Sequence, residues 1–296
     1  MPELKNITTD RWQHPGFHKK QLVADVLRLD KIHPEISGNK WFKLKYYLEK
    51  AARENKRMLI SYGGAYSNHL LALAAAARLY GFSSTAMIRG EEPARLSNTL
   101  ISAREYGMEL NFLPRSEYDR QKNKPAEMPD ALFIPEGGAG VEGIRGAEEI
   151  LMAAGQPEHY THICCATGTG TTLAGIINST PPEIFKIGIS VLKGTRNLEP
   201  LSLSWIKNTA EGKNIQIIHE DHFGGYAKYT HSLIGFMNEV YRESGIPTDF
   251  VYTAKLFHAI VRMAAENAFV PGSRILVLHT GGLQGNRSLA PGQLEF

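Results

Sequence analysis

Two hydrophobic periodicities alternate along the chain. Short apolar runs predict buried β-strands, and longer stretches with apolar residues three and four positions apart predict amphipathic helices. In the first half, the apolar runs cover residues 58–62, 84–88, 109–113 and 131–135. The helical stretches there run from 40 to about 51, from 69 to 80, from 97 to about 107 and from 142 to 154.

The same alternation restarts after a break near Gly155, Gln156 and Pro157. The second half has apolar runs at 162–166, 186–192, 215–219 and 274–282, and helical stretches that begin at 173 and cover about 201–208, 229–245 and 255–267. Strands separated by helices are typical of parallel sheets with helices on both faces. We therefore expect an α/β fold of two units.

Four loops follow predicted strands at their carboxyl ends, where open parallel sheets bind ligands. All four are rich in glycine, serine, threonine or asparagine, which suit close approach of the backbone to a ligand. They are GGAYSNH (63–69), EGGAGVEG (136–143), ATGTGTT (166–172) and HTGG (279–282).

Composition narrows the class of protein without naming a function. Of 296 residues, 43% are hydrophobic and 21% charged, which is typical of a globular protein. The net charge of +3 is scattered, so we expect no nucleic-acid face. We also expect no signal peptide, no membrane span and no metal, since no apolar segment or His/Cys spacing suits them. The adjacent Cys164 and Cys165 predict a buried strand and a reducing cytoplasm.

The loop ATGTGTTLAGI joins a predicted strand to a predicted helix. Backbone N–H groups at such a helix start, together with threonine hydroxyls, form a cradle for an anion such as phosphate. The loop is neither a Walker sequence nor a complete GxGxxG sequence. An ordinary strand–helix turn is the alternative.

Lys40 stands directly behind a Gly-Asn turn, at the start of a predicted helix. A cation is unfavourable at this end of the helix dipole, and a solvated surface lysine is the ordinary alternative. A partly desolvated amine here loses its proton more easily and can then form a Schiff base with an aldehyde. Pyridoxal phosphate is the cofactor that needs both such a lysine and a phosphate loop. Lys43 and Lys45 are rivals for this role.

Five segments, SGNKWFKL, GGAYSNH, ATGTGTTLAGI, TDFVYTAKLFHAI and LHTGG, resemble in order and spacing those of fold-type-II pyridoxal-phosphate enzymes. More narrowly, the chain resembles the family of D-cysteine desulfhydrases and 1-aminocyclopropane-1-carboxylate (ACC) deaminases from about Leu27 to Leu283. The resemblance implies a tryptophan synthase β-like fold. It also implies a large cofactor-binding domain (1–45 plus 156–296), a small domain (46–155), and an active site in the cleft between them.

The resemblance assigns residues to the cofactor. Lys40 is expected to form the Schiff base, Asn68 to contact the phenolic oxygen, and Thr280 to face the ring nitrogen. The residues expected around the phosphate are Thr167, Gly168, Thr169, Gly170, Thr171 and Thr172.

It also assigns residues to the substrate and the chemistry. Ser67 is expected to touch the substrate carboxylate and help with proton transfer, and Tyr252 to be catalytic. The full set expected at the substrate is Ser67, Asn68, His69, Tyr226, Tyr252 and Thr253.

His69 and Thr253 separate the two branches of the family. ACC deaminases carry glutamine and glutamate at these positions, so the chain resembles the desulfhydrase branch. The expected activity is that of a lyase of amino-acid metabolism, which converts D-cysteine to pyruvate, ammonia and sulfide. ACC ring opening and elimination from another small D- or L-amino acid are alternatives.

Two alternatives of other classes stay open, a pyridoxal-phosphate-binding regulatory protein and a nucleotide-binding α/β protein. The expected partner is a small amino acid, with no nucleic acid or membrane, and the expected assembly is a cytoplasmic homodimer.

Overall fold

A computed structural model describes residues 1–123, 128–194, 205–206 and 214–296. Its strands are β1 (Thr9–Arg11), β2 (Val23–Arg28), β3 (Met58–Gly63), β4 (Ser83–Arg89), β5 (Met108–Leu113), β6 (Ala131–Ile134), β7 (His162–Thr167), β8 (Phe185–Ser190), β9 (Ile215–Ile218) and β10 (Arg274–His279). Its α-helices are α1 (Pro15–Lys19), α2 (Asn39–Arg53), α3 (Asn68–Tyr80), α4 (Asn98–Glu105), α5 (Arg115–Asn123), α6 (Val141–Ala147), α7 (Thr171–Ser179), α8 (His231–Ser244) and α9 (Thr253–Ala265).

The strands form two sheets. One has six strands in the order β1-β2-β10-β7-β8-β9, and the other has four in the order β5-β4-β3-β6. Every pairing is parallel except that of β1 with β2. The predicted α/β class with largely parallel sheets is confirmed.

Each sheet has helices packed on it through apolar side chains. The core of the six-stranded sheet includes Phe257 and Ile260 of α9 on one face and Ile176 of α7 on the other. The four-stranded sheet packs against Leu44 of α2 and the alanine- and leucine-rich α3. Parallel sheets covered on both faces read as continuous apolar runs, which is why the sequence located most of these strands.

The ends of α3 follow from its sequence. The Ser67 hydroxyl accepts a hydrogen bond from the Leu70 N–H at 3.4 Å, as the N-cap residue of the helix. Gly81 ends the helix in the left-handed conformation at φ 78°. Helix α3 therefore begins within the loop GGAYSNH, and Asn68 and His69 lie in its first turn.

Several details differ from the prediction. The helix predicted over 142–154 is α6 followed by a separate 3-10 helix, Ile150–Ala154, and the glycines of α6 weaken helix propensity. The short elements β1, β2, α1 and α5 were not predicted. The helix predicted over 201–208 lies outside the described residues, apart from 205–206.

Helix α6 makes backbone-to-backbone contact with its neighbours. A Cβ built on Gly146 would lie 1.7 Å from the Phe42 carbonyl oxygen of α2, and one on Gly175 of α7 would lie 2.4 Å from the Ala147 Cβ. Glycine is the residue that permits such approach. Helices α2, α6 and α7 are thus joined at a distance that no side chain could occupy.

The six-stranded sheet takes its strands from residues 9–28 and 162–279, and the four-stranded sheet from 58–134. The predicted domain boundaries, 45/46 and 155/156, fall between these ranges, and α2 crosses the first. The division into domains itself stays a prediction.

Candidate active site

The turn before Lys40 packs directly on the turn after β10. Gly38 has φ +64°, and a Cβ built on it would lie 1.9 Å from the Thr280 carbonyl oxygen. The Asn39 N–H donates to that same oxygen at 3.3 Å. The start of α2 is therefore fixed against Thr280, and two residues more than 200 positions apart become neighbours.

The Lys40 amine lies between polar and aromatic groups. Its Nζ donates to Asn39 Oδ1 at 2.9 Å, and Asn39 Nδ2 donates in turn to Thr172 Oγ1 at 2.9 Å. The same Nζ lies 5.8 Å from the centre of the Tyr252 ring. Burial lowers the pKa of Lys40 to about 8, although the nearby Asp249 carboxylate opposes the shift. A sizeable fraction of this amine is therefore neutral near pH 8.

The two rival lysines have different surroundings. The Lys45 amine is paired with Glu149. Lys43 is buried, its Nζ donates to the Gly137 carbonyl at 3.3 Å, and burial together with Lys40 holds its pKa well below the ordinary value. Lys43 thus lies behind the loop 136–143, while Lys40 lies between Tyr252 and Thr172.

The predicted phosphate loop has the form of an anion cradle. Gly170 has φ +80° and is the N-cap of α7, so the N–H groups of the next residues are at the helix start. Thr169 and Thr171 hydroxyls lie 3.0 Å apart. A Cβ built on Gly137 would lie 3.1 Å from Thr169 Cγ2, so loop 136–143 closes over this cradle. The arrangement suits a phosphate group.

Asn68 is close to the turn after β10. A Cβ built on Gly282 would lie 3.0 Å from Asn68 Nδ2. Its Oδ1 is buried and meets no hydrogen-bond donor within the described part of the chain. An unsatisfied buried acceptor is costly, and it marks the place where a ligand donor would be bound.

His69 is held in one tautomer by its neighbours. Ser61 Oγ donates its only proton to the Ile134 carbonyl at 2.7 Å, so His69 Nε2, 2.8 Å from that oxygen, must donate its own proton to it. Burial lowers the pKa of His69 to about 3, with Lys40 and Lys43 adding to the shift, so the ring is neutral. Its Nδ1 is then a bare acceptor, buried and unpaired among the residues described.

Tyr252 and Tyr226 form an aromatic pair beside the cradle. Their ring centres lie 6.0 Å apart in an edge-to-face arrangement, and a Cβ built on Gly168 would lie 3.5 Å from Tyr252 Cε1. Burial raises the pKa of both phenols, that of Tyr252 well above its ordinary value. Both hydroxyls therefore keep their protons near neutral pH.

Asp249 fixes Tyr252. One carboxylate oxygen of this fully buried residue accepts from the N–H groups of Val251 and Tyr252, both at 2.9 Å, and the other accepts from the N–H and hydroxyl of Thr253 at 2.9 and 2.8 Å. The carboxylate caps helix α9. The only proton of the Thr253 hydroxyl is committed here, so Thr253 supports Tyr252 and has none left for a substrate.

The contacts above connect several of the predicted site residues, namely Lys40, Asn68, Thr280, Tyr252 and the loop 167–172. His69 follows Asn68 in the first turn of α3. Two buried residues nearby, Lys255 and Asp249, were not predicted, and buried Lys43 was considered only as a rival of Lys40. A usable signal existed for Lys255, because it occupies the apolar stripe of α9 with Ala259 and Met263 four and eight positions on.

Pyridoxal phosphate fits these residues. The cradle at 168–172 suits its phosphate, the partly neutral Lys40 amine suits its aldehyde, and the Asn68 amide suits its phenolic oxygen through the donor group Nδ2. Fold and site together define an enzyme that holds a phosphorylated aldehyde cofactor beside a parallel sheet.

Comparison with known proteins agrees with this class. A family model described as pyridoxal-phosphate dependent enzyme matches residues 8–281. The chain belongs to this family and is a pyridoxal-phosphate dependent enzyme.

Several relatives are similar along most of the chain. A protein of Pyrococcus horikoshii called "Putative 1-aminocyclopropane-1-carboxylate deaminase" is 29% identical over 284 residues, covering 90% of this chain and 87% of that protein. The mitochondrial bifunctional D-cysteine desulfhydrase/ACC deaminase of Arabidopsis thaliana is 25% identical, covering 93% and 76%. A crystal structure of an ACC deaminase homologue superposes with a TM-score of 0.79 at 26% identity, covering 95% of this chain and 90% of that one.

A more distant structure shows the fold alone. A fungal L-serine ammonia-lyase from Rhizomucor miehei has a TM-score of 0.67 at 12% identity, covering 96% of this chain and 98% of that one.

Within the part of the chain that the structure describes, no helix is long and apolar enough to cross a membrane. Nor do the described residues bring three or more His, Cys, Asp or Glu side chains together in a group that could hold a metal ion.

Proposed function

We propose that this protein catalyses α,β-elimination from a small amino acid, with D-cysteine as the first candidate. The reaction takes one D-cysteine and one water to pyruvate, ammonia and hydrogen sulfide. The observation that carries the proposal is the Lys40 amine, whose pKa is lowered to about 8 and which lies 5.8 Å from the Tyr252 ring centre. An elimination of this kind needs a base of about that strength.

Lys40 is proposed as the residue that binds the cofactor and removes the α-proton of the substrate. The chemistry that pyridoxal phosphate supplies when bound is electron withdrawal from the α-carbon, which acidifies that proton. Asn39 orients the Lys40 amine through their 2.9 Å hydrogen bond. The N–H groups at the start of α7 are proposed to hold the phosphate, since a helix N-terminus favours an anion.

Residues at the start of α3 are proposed to receive the substrate carboxylate. Helix dipole and free N–H groups favour an anion there. The Ser67 hydroxyl and the Asn68 amide lie at this terminus. The Nδ1 atom of His69 is an acceptor and cannot bind a carboxylate. We propose that it instead accepts a hydrogen bond from an N–H or O–H group of the ligand.

Tyr252 and Tyr226 are proposed to act as neutral phenols. Their raised pKa keeps a proton available on the side of the site where the β-substituent leaves. A departing thiolate accepts a hydrogen bond or a proton, and a phenol can supply either. Asp249 and Thr253 position Tyr252 for this role.

Elimination is preferred over ACC ring opening because of the residue after Tyr252. ACC has no α-proton, and the ACC deaminases that this chain resembles carry a glutamate there. The hydroxyl of Thr253 is bonded to Asp249 and its side chain is fully buried, so it provides no acid or base at that point. Ring opening nevertheless stays the second candidate, because relatives bear the ACC deaminase name.

A substrate panel tests the proposal. The purified holoenzyme is incubated with D-cysteine, L-cysteine, β-chloro-D-alanine, its L-enantiomer and ACC, and pyruvate and 2-oxobutyrate are measured separately. β-Chloro-D-alanine controls for direct reaction of a free thiol with the cofactor. We expect pyruvate from the D-substrates, and loss of at least about 1,000-fold in Lys40→Ala.

Each other outcome selects an alternative. Formation of 2-oxobutyrate from ACC would establish ring opening, and pyruvate from the L-substrates would reverse the stereochemistry. Visible cofactor absorbance without any product would favour a regulatory role. No cofactor absorbance would leave the nucleotide-binding alternative and overturn the proposal.

Organisation and assembly are proposed from the family resemblance. We propose a cofactor-binding domain of 1–45 plus 156–296, a small domain of 46–155 with the site between them, and a cytoplasmic homodimer. Light scattering of the purified holoenzyme tests the assembly, since a monomer has 32.8 kDa and a dimer twice that mass.

A further inference from the structure

Lys255 is a buried cation that the proposed chemistry does not use. Its side chain is fully buried in the first turn of α9, at the end of the helix where a positive charge is unfavourable. Burial lowers its pKa to about 8, although Asp249 opposes the shift. A lysine in such a place costs stability unless its amine is bonded.

The Lys255 amine is bonded to one backbone carbonyl. Its Nζ donates to the Gly225 oxygen at 2.7 Å, and the same oxygen accepts from the Lys228 N–H at 3.1 Å. The loop that it holds is unusual, because four of its five residues have positive φ: Phe223 at 46°, Gly224 at 91°, Gly225 at 113° and Ala227 at 53°. Phenylalanine and alanine in that region are strained, so an outside contact must maintain the loop.

The remaining residue of this loop, between Gly225 and Ala227, is Tyr226. Its ring lies edge-to-face with Tyr252 at 6.0 Å, and Tyr252 lies 5.8 Å from the Lys40 amine. Tyr226 is 40% exposed, although the buried part of its side chain is enough to raise the pKa of the phenol. The position of Tyr226 therefore depends on the backbone of residues 223–227.

We propose that Lys255 is a positioning residue: its amine fixes the Gly225 carbonyl, and thereby sets the Tyr226 ring that bounds the substrate side chain and determines which amino acids fit. Only the part of this inference that concerns substrate selection rests on the proposed function. The conformation of the loop can be measured without any substrate or cofactor.

The first test is limited trypsin digestion of the cofactor-free protein. Lys255→Met keeps the length and apolar stem of the side chain but removes the donor. We expect cleavage after the exposed Lys228 to accelerate at least about fivefold, while cleavage after Lys5, whose side chain is 79% exposed, stays unchanged. Peptide masses identify each cut.

The matched control is Lys186→Met. Lys186 is also fully buried and donates to a backbone carbonyl, that of Pro182 at 3.3 Å, but at the amino end of β8. Its loss should lower stability without changing cleavage after Lys228. Equal acceleration in both variants would mean general loosening and would overturn the proposal.

The second test measures binding of D-alanine, which has no β leaving group, through the visible absorbance of the holoenzyme. We expect Lys255→Met to weaken binding about tenfold, and Tyr226→Ala to weaken it by a similar factor. If Lys255 acts through Tyr226, the double variant binds no worse than the weaker single variant.

Additive losses, or unchanged binding and unchanged cleavage in Lys255→Met, would overturn the positioning role. Failure of the proposed function looks different. The wild-type protein would then neither bind D-alanine nor turn over any substrate, while cleavage after Lys228 would still report on Lys255.

Discussion

Gly38→Ala probes the contact between the turn before Lys40 and the turn of Thr280 after β10. Gly38 has φ +64°, and a Cβ there would lie 1.9 Å from the Thr280 carbonyl oxygen and 2.7 Å from the Gly281 nitrogen. Both obstacles are backbone atoms, which cannot rotate away as a side chain can. The turn before Lys40 and the turn of Thr280 must therefore separate.

The expected loss in the free energy of unfolding of Gly38→Ala has two parts. With ψ −141°, Gly38 lies outside the left-handed helical region, in a part of φ/ψ space that essentially only glycine adopts, and alanine there costs about 1–3 kcal/mol. Overpacking of a well-packed contact costs about 1–3 kcal/mol more. We therefore expect the free energy of unfolding to fall by about 2–6 kcal/mol.

Gly81→Ala is the matched control. Gly81 also has positive φ, at +78°, but with ψ 22° it lies in the left-handed helical region, and a Cβ there meets nothing within 4 Å. This variant bears only the backbone cost of that region, about 1–2 kcal/mol. The difference between the two variants therefore contains the clash with Thr280 together with the additional backbone strain at Gly38.

Urea unfolding of the cofactor-free proteins, followed by tryptophan fluorescence, measures this difference. Visible absorbance after adding pyridoxal phosphate then reports the site. We expect Gly81→Ala to take up the cofactor normally and Gly38→Ala to take it up weakly. If Gly38→Ala is no less stable than Gly81→Ala and binds the cofactor equally well, the reasoning about this contact is refuted.

Three further predictions concern side chains of the site. Borohydride reduction of the holoenzyme should place the cofactor label on Lys40; a label on Lys43 in peptide maps would contradict the assignment. In the cofactor-free protein, the Lys40 amine should react with acetic anhydride half-maximally near pH 8. Asp249→Asn should move that midpoint to lower pH, because the Asp249 carboxylate stabilises the ammonium form of Lys40 and the variant lacks it. A midpoint near 10.5 in the wild-type protein would exclude a depressed pKa. The free energy of unfolding should fall as the pH drops from about 6.5 towards 3, because His69 is protonated in the unfolded chain and neutral in the folded one. His69→Gln, compared with the wild type by urea unfolding at pH 7 and 4.5, should lose less of this free energy. An equal loss in both proteins would assign the pH dependence to other groups.

The sequence was informative where function lies at strand ends. Loops 63–69, 136–143, 166–172 and 279–282 were singled out as candidates for ligand binding because they follow the carboxyl ends of predicted parallel strands. The structure brings loops of the two sheets together through contacts such as Gly137 with Thr169 and Gly282 with Asn68. Glycine and threonine spacing also indicated the cradle at the start of α7.

Contacts between distant residues could not be predicted. Asp249 stands in an ordinary Thr-Asp-Phe segment, and nothing local shows that its carboxylate is buried and caps α9. The engaged hydroxyl of Thr253 follows from that same carboxylate. Likewise, one sequence does not separate a buried Lys43 from a half-buried Lys45 paired with Glu149 two positions along, since both occur in an amphipathic helix.

The tight packing of α6 limits how the site can open. Helix α2 carries Lys40 and α7 begins at the phosphate cradle, and both touch α6 through glycines that leave no room for a side chain. We expect these three helices to travel as one rigid body, so the lysine and the cradle keep their spacing through every catalytic cycle. We expect the movement that admits a substrate to occur elsewhere in the site, where α3 meets the glycines after β10.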